Sequence, residues 1–139
     1  MSKEEKILEI RFPAKAERLT LVRALVKRAV QTVGCNDALG EKLVIAVNEA
    51  CMNVIQHAYQ GNSTGDIVLE IHHAGSQLRF KLVDFAAPID LEKVKSRDLE
   101  DIRPGGLGVH FISEIMDEFK IGHLDGGNGN YLEMKKSID

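Results

Sequence analysis

The stretch from Asp37 to about Tyr59 constrains the fold more than any other part of the chain. Leu39, Leu43, Ala46, Val47, Ala50, Cys51, Val54 and Ala58 recur at helical spacing, which predicts a helix with Asp37 as its N-cap. The helix is apolar around so much of its circumference that the rest of the molecule has to cover it. One file of polar residues interrupts it: Glu49, Asn53 and His57, spaced i, i+4, i+8 along one face. Polar groups on a covered helix need polar partners, because an unpaired buried polar group costs free energy.

The remaining elements follow from periodicity and turn chemistry. Residues 7–12 alternate enough to read as a strand closed by Pro13. Residues 16–33 read as a helix with Leu19, Leu21, Val22, Leu25, Val26 and Val30 in a wide apolar stripe, and Gly34 stops it. After the turn Gly61–Gly65, two strands are expected, Asp66–His73 and Gln77–Asp84, joined at Ala74-Gly75-Ser76. Residues 85–105 form a long polar connection carrying Pro88 and Pro104, a length that usually marks a functional or mobile segment. A third helix is expected from Gly106 to about Asp117, with Val109, Ile112, Met116 and Phe119 on one face. Two last strands, near Glu118–His123 and Asn130–Lys136, flank a Gly-rich turn. Strands joined mainly by hairpins, with helices between them, predict an α+β two-layer sandwich. Its sheet is expected to be mixed but mostly antiparallel, with the helices on one face.

The bulk numbers suit one domain spanning residues 1–139. A chain of this length buries about two-thirds of its unfolded surface and needs no staples. With 18 Lys and Arg against 21 Asp and Glu, the net charge is −3. That balance argues against direct nucleic-acid binding, which needs a basic field. Cys35 and Cys51 have no CxxC spacing, and Cys51 reads as a small buried hydrophobe. Four of the first six residues are charged, and the stretch lacks an apolar signal segment. No apolar run approaches the roughly 20 residues of a membrane span, so a cytoplasmic protein is expected.

Each residue of the polar file suits phosphoryl chemistry. An Asn oxygen is a hard neutral ligand for Mg²⁺, which keeps waters and bridges to phosphates. A carboxylate one turn away can orient or deprotonate an attacking hydroxyl. An imidazole one turn further can bond a phosphate or hold the file in place. A solvated face with ordinary i,i+4 hydrogen bonds is the alternative reading. Asp84 closes the apolar strand Phe80–Val83; it can accept from the exocyclic amine of adenine, or simply start a turn. Gly105, Gly106, Leu107, Gly108 and Val109 open the third helix. Glycines there let backbone N–H groups approach a phosphate at a positive helix end, though glycine at a helix start also occurs for conformational reasons. The charged run Glu92–Arg103 reads either as a solvated face or as a lid whose cations reach phosphates or a partner. Gly61-Asn62-Ser63-Thr64-Gly65 matches GxSxG, but a nucleophile elbow needs a strand before it and a helix after it. Here the order is reversed, and the segment reads as a turn.

Taken together these pieces resemble the GHKL ATPase superfamily, and within it the anti-sigma-factor serine/threonine kinases. Asn48-Glu49-Ala50-Cys51-Met52-Asn53 through His57-Ala58-Tyr59 resembles the N-box, "EA…N…HAY". Val83-Asp84 with Pro88-Ile89-Asp90 resembles the first glycine box, "D-x-G-x-P-F-D", and Gly105–Gly108 resembles the second. Gly129-Asn130-Tyr131-Leu132 resembles the final Gly-Thr strand start. The resemblance implies the Bergerat, or histidine-kinase-like ATPase, fold with an ATP lid at about 85–105. It implies ATP and Mg²⁺ as cofactors, Glu49 as general base or hydroxyl orienter, and Asn53 as the Mg²⁺ ligand. His57 is implied to lie near the phosphates, and Asp84 to read the adenine amine in a loop containing Ala86. Gly105 to Val109 are implied to cradle the phosphates, with Asn130 at the final strand start. A sigma factor and a STAS-type antagonist, whose serine accepts the phosphoryl group, are the implied partners, and homodimers are common in the family.

The sequence departs from the family pattern at two positions. The glycine of the first box is Ala86, and Ala resists a left-handed φ by roughly 1 kcal/mol or more. The final Thr is Asn130. The function expected is an ATP-dependent serine/threonine protein kinase that is also an anti-sigma factor in a partner-switching system. A non-catalytic ATP-binding module that sequesters a regulatory protein is the alternative that Ala86 motivates.

Overall fold

In a computed structural model, residues 3–61, 65–88 and 112–138 are described. Five strands form one sheet: β1 (Glu5–Pro13), β2 (Asp66–Ala74), β3 (Gln77–Asp84), β4 (Glu118–His123) and β5 (Asn130–Ser137). The strand order is β1-β2-β3-β5-β4, and all four pairings are antiparallel. Two helices, α1 (Leu19–Thr32) and α2 (Asp37–Asn53), pack on each other. The expected α+β two-layer arrangement is therefore present, with a sheet more uniformly antiparallel than expected.

Alternation builds the layer interface. Ile67, Leu69 and Ile71 of β2, Leu78, Phe80 and Leu82 of β3, and Leu132 and Met134 of β5 are buried in the core that they share with the helices. Each such side chain contributes about 1.5–3 kcal/mol when removed from water. The opposite sheet face carries charges in complementary register. Lys81 stands opposite both Glu70 and Glu133, and Arg79 bonds Glu133 at 3.2 Å and Glu4 at 2.8 Å. Pairs of opposite charge directly across strands support register and keep this face wet.

The helix ends follow local chemistry. Gly34, at φ +85°, lets the Gly34 and Cys35 N–H groups bond the carbonyls of Gln31 and Val30. This is the double bond of a Schellman stop. The cap of α2 is Asn36 rather than the expected Asp37. Asn36 is extended and its side chain accepts from the Leu39 N–H at 2.8 Å, so Asp37 becomes the first helical residue, where a carboxylate complements the helix dipole. The stripe of α1 is narrower than the sequence suggests: Leu19, Val22, Val26, Ala29 and Val30 are buried, whereas Leu21 is 62% exposed. A helix laid on one neighbour buries only the residues that face it. Of the expected third helix, residues 112–115 are helical, with Ile112 buried. Phe119, expected on its face, belongs to β4 instead.

Candidate functional site

Asp84 and Asn130 occupy the ends of neighbouring strands and face each other in register. They are 3% and 2% exposed. The Asn130 amide donates to Asp84 Oδ1 at 2.9 Å and to the Ala87 carbonyl at 3.1 Å. The Ala86 N–H donates to the same Asp84 oxygen at 3.0 Å. Burial pushes the Asp84 carboxyl above its usual range, opposed by the bonds from Asn130 and Ala86. Two of the residues read separately from the sequence therefore form one polar cluster at the mouth of the sheet.

The two departures from the family pattern both find a role in this cluster. Gln60, at φ +53°, is the one non-glycine residue with a positive φ among the described residues, so Ala86 carries no left-handed strain. Its N–H closes a turn on Asp84 instead, a geometry that any residue with an N–H supports. Asn130 reaches two acceptors at once, which a shorter Thr hydroxyl with one proton cannot do. Gly129, at φ +149°, lies against the Asp84 carbonyl oxygen, where a Cβ would overlap it.

The polar file lies on the helix above. Glu49 and Asn53 are half-buried and one turn apart on α2, which packs against β3. Asn53 is the last residue of the regular helix, and residues Val54–Ala58 form a π-helical turn. The Tyr59 N–H bonds the Val54 carbonyl, five residues back. A π-turn takes more residues than an α-turn, so His57 falls short of a full turn from Asn53. The i, i+4 relation holds from Glu49 to Asn53, and the π-turn resets the direction of His57. Such turns concentrate at functional sites. The Asn53 Nδ2 atom is buried with no hydrogen-bond partner among the described residues.

Gly105, Gly106, Leu107, Gly108 and Val109 lie outside the described residues, as does most of the expected lid at 85–105. Among the described residues no group of three or more His, Cys, Asp or Glu is placed to hold a metal. A cavity of about 400 Å³ between α1 and α2, lined by residues such as Lys27, Gln31, Gly40 and Glu41, includes none of the candidate residues. The polar cluster at the strand ends, where buried Asp84 and Asn130 are hydrogen-bonded, is the better candidate. No helix of the described residues is long and apolar enough to cross a membrane.

Sequence reasoning quoted Tyr59 at the end of the N-box resemblance without giving it a role, and gave none to the Ala87 carbonyl. A tyrosine at the end of an apolar helix needs a partner for its hydroxyl. The partner for Ala87 depends on strand register and leaves no trace in local sequence.

Comparison with known proteins bears on the same residues. The family model described as the histidine kinase-like ATPase domain matches residues 12–136. The serine-protein kinase RsbW of Listeria innocua is 32% identical over 127 residues, covering 86% of this chain and 81% of the relative. In the solved SiaB–SiaC complex from Pseudomonas aeruginosa, one chain matches with a TM-score of 0.67 at 11% identity, over 96% of this chain and 91% of that one. A structure of the RsbU and RsbW domains of a Mycobacterium tuberculosis protein matches with a TM-score of 0.66 at 18% identity. That match covers 94% of this chain and 31% of the longer one. Fold, motif order and relatives agree: the chain belongs to the histidine kinase-like ATPase domain family, and within it to the branch of the RsbW serine-protein kinases.

Proposed function

We propose that this chain is an ATP-dependent protein serine kinase acting as an anti-sigma factor in a partner-switching system. It transfers the γ-phosphoryl group of ATP to a serine of a STAS-type antagonist. The observation that carries the reading is the buried Asp84 carboxylate, held by Asn130 and Ala86 at the end of β3, the strand against which the helix bearing Glu49 and Asn53 packs. A carboxylate held by fixed donors keeps its oxygens in place to accept from the adenine amine. Asn130 and Ala86 then act as positioning residues.

Among the described residues Asn53 is the side chain that would hold Mg²⁺, as one hard neutral ligand. Asn53 is half-buried, and its Nδ2 atom is buried with no partner among the described residues. A half-turn about its last torsion exchanges that nitrogen for the amide oxygen, a hard neutral ligand. When bound, Mg²⁺ neutralises charge on the transferring phosphoryl group. Glu49 sits one turn before Asn53 on the same helix and is half-buried. Its carboxylate orients the serine hydroxyl and takes its proton as the new P–O bond forms and the bond to ADP breaks. We assign Gly105, Gly106, Leu107, Gly108, Val109 and His57 to the phosphates on the family resemblance. We further assign a sigma factor as the second partner, a homodimer as the assembly and the cytoplasm as the location. Ala86, which motivated a non-catalytic alternative, takes no left-handed φ, so backbone strain does not favour that alternative.

The test is ATP binding by calorimetry with and without Mg²⁺, paired with phosphoryl transfer to a STAS-domain substrate. Glu49→Ala is expected to keep ATP affinity within about threefold and to lower transfer at least ~100-fold, the scale of a lost proton-transfer group. Asn53→Ala is expected to remove the Mg²⁺ dependence of binding. Unchanged transfer in Glu49→Ala would show that the carboxylate has no part in the step.

A further inference from the structure

Tyr59 follows the π-turn directly, and Phe85 follows Asp84 directly. The Tyr59 hydroxyl joins them. It accepts from the Phe85 N–H at 2.8 Å and donates to the Asp66 carbonyl at 2.6 Å. Burial pushes the hydroxyl above the usual tyrosine range, so it keeps the proton that the Asp66 carbonyl needs. The ring lies where a Cβ on residue 65 would be, so Gly65 is the residue that admits it. The Gly65 carbonyl is itself held by the Ala14 N–H at 2.9 Å. On the outside, Arg11 donates to the Asp66 carboxylate at 2.8 Å, and its guanidinium stands 4.9 Å from the centre of the Phe85 ring. The residue next to Asp84 is thus gripped at its backbone by the end of the N-box helix and at its ring by β1.

We infer that Tyr59 is a positioning residue for base selection: its hydroxyl fixes the path of residues 84–86 and so makes the Asp84 carboxylate discriminate adenine from guanine. This rests on the nucleotide reading above. Adenine offers an amine donor to a carboxylate, whereas guanine offers a carbonyl oxygen at the equivalent position, and two acceptors repel. Such discrimination is strong only if the carboxylate cannot move away. Asp84 Oδ1 is held by two donors, the Asn130 amide and the Ala86 N–H, and the path to the second runs through Phe85. A Phe85 N–H freed from Tyr59 lets that path relax, and the carboxylate tolerates either base.

The experiment measures Mg-ATP and Mg-GTP affinity by calorimetry on the full chain, for wild type, Tyr59→Phe and Arg11→Met, with amide exchange of Phe85 followed by NMR. Tyr59→Phe is expected to speed Phe85 exchange and to weaken ATP binding by roughly tenfold, the worth of one lost hydrogen bond. GTP affinity is expected to hold, so the ATP-to-GTP ratio falls. Arg11→Met, at an exposed side chain, should shift both readouts in the same direction but less. An unchanged ratio in Tyr59→Phe, or equal weakening of both nucleotides, overturns the inference and leaves a purely structural role. If Tyr59→Phe does not fold, an unprotected Phe85 amide in wild type, or an unchanged ratio in Arg11→Met, overturns it. A wild type that binds neither nucleotide, or both alike, instead overturns the nucleotide reading itself.

Discussion

Asp84 combines two demands that pull in opposite directions. It is buried and ionisable, and burial favours its protonated form. A carboxyl with a raised folded-state pKa stabilises the fold at pH values below its unfolded value. That contribution declines as pH rises through the folded value. Asp84→Asn removes this dependence and keeps an oxygen for Asn130 and Ala86. Its melting temperature relative to wild type is expected to be more favourable at pH 7 than at pH 4, as thermal scans at both values would reveal. ATP affinity is expected to move the other way, falling roughly 10- to 100-fold with the loss of a charged acceptor. Asp84 was legible as a candidate because a carboxylate ends an apolar strand. Its partner Asn130, 46 residues further along, was legible only through the resemblance to a family motif. No local rule says that these two strand ends meet.

Elements in this molecule are set at their ends more than in their middles. Strands β3 and β4 carry the bounds expected from alternation and turn residues, because period-2 patterning and flanking turns act locally. The polar file on α2 was also legible, but the π-turn after Asn53 was not. A π-turn trades good i→i−4 bonds for a wider one, so propensity disfavours it and tertiary packing has to hold it. Gly129 shows the same division. Its place in a Gly-rich turn is plain in the sequence, while the reason only glycine fits is the Asp84 carbonyl beside it. Gly129→Ala is expected to destabilise the protein by roughly 2 kcal/mol or more, from the left-handed φ and the overlap together. Denaturant melts would read this as a lower midpoint at unchanged slope. A change below a few tenths of a kcal/mol would mean that the β4–β5 turn adapts freely.

At the scale of the whole molecule, the sheet has a dry face and a wet one. The dry face, with α1 and α2, encloses Cys51 fully, and burial raises its thiol to about 12. A thiol that far above neutral pH and sealed from solvent does not react in the native state. Alkylation of Cys51 is therefore expected to follow global unfolding: its rate at pH 8 should rise with denaturant in parallel with the unfolded fraction. Cys35, at the junction between α1 and α2, is expected to react through smaller openings and earlier. Equal labelling rates for both thiols in the absence of denaturant would contradict this picture of the core.

The sequence alone determined the fold class, the five strands and the two long helices of the described residues, and the residue types from which a nucleotide site is proposed. Periodicity, caps and turns are local, and motif chemistry depends on side-chain type. The antiparallel pairing of β3 with β5 was decided only in three dimensions. That pairing brings Asp84 against Asn130. The grip of Tyr59 on Phe85, across 26 residues of chain, and the strain-free path of Ala86 were decided the same way. These depend on which distant groups share a low-dielectric space, where every polar group needs a partner, and such partnerships have no periodicity along the chain.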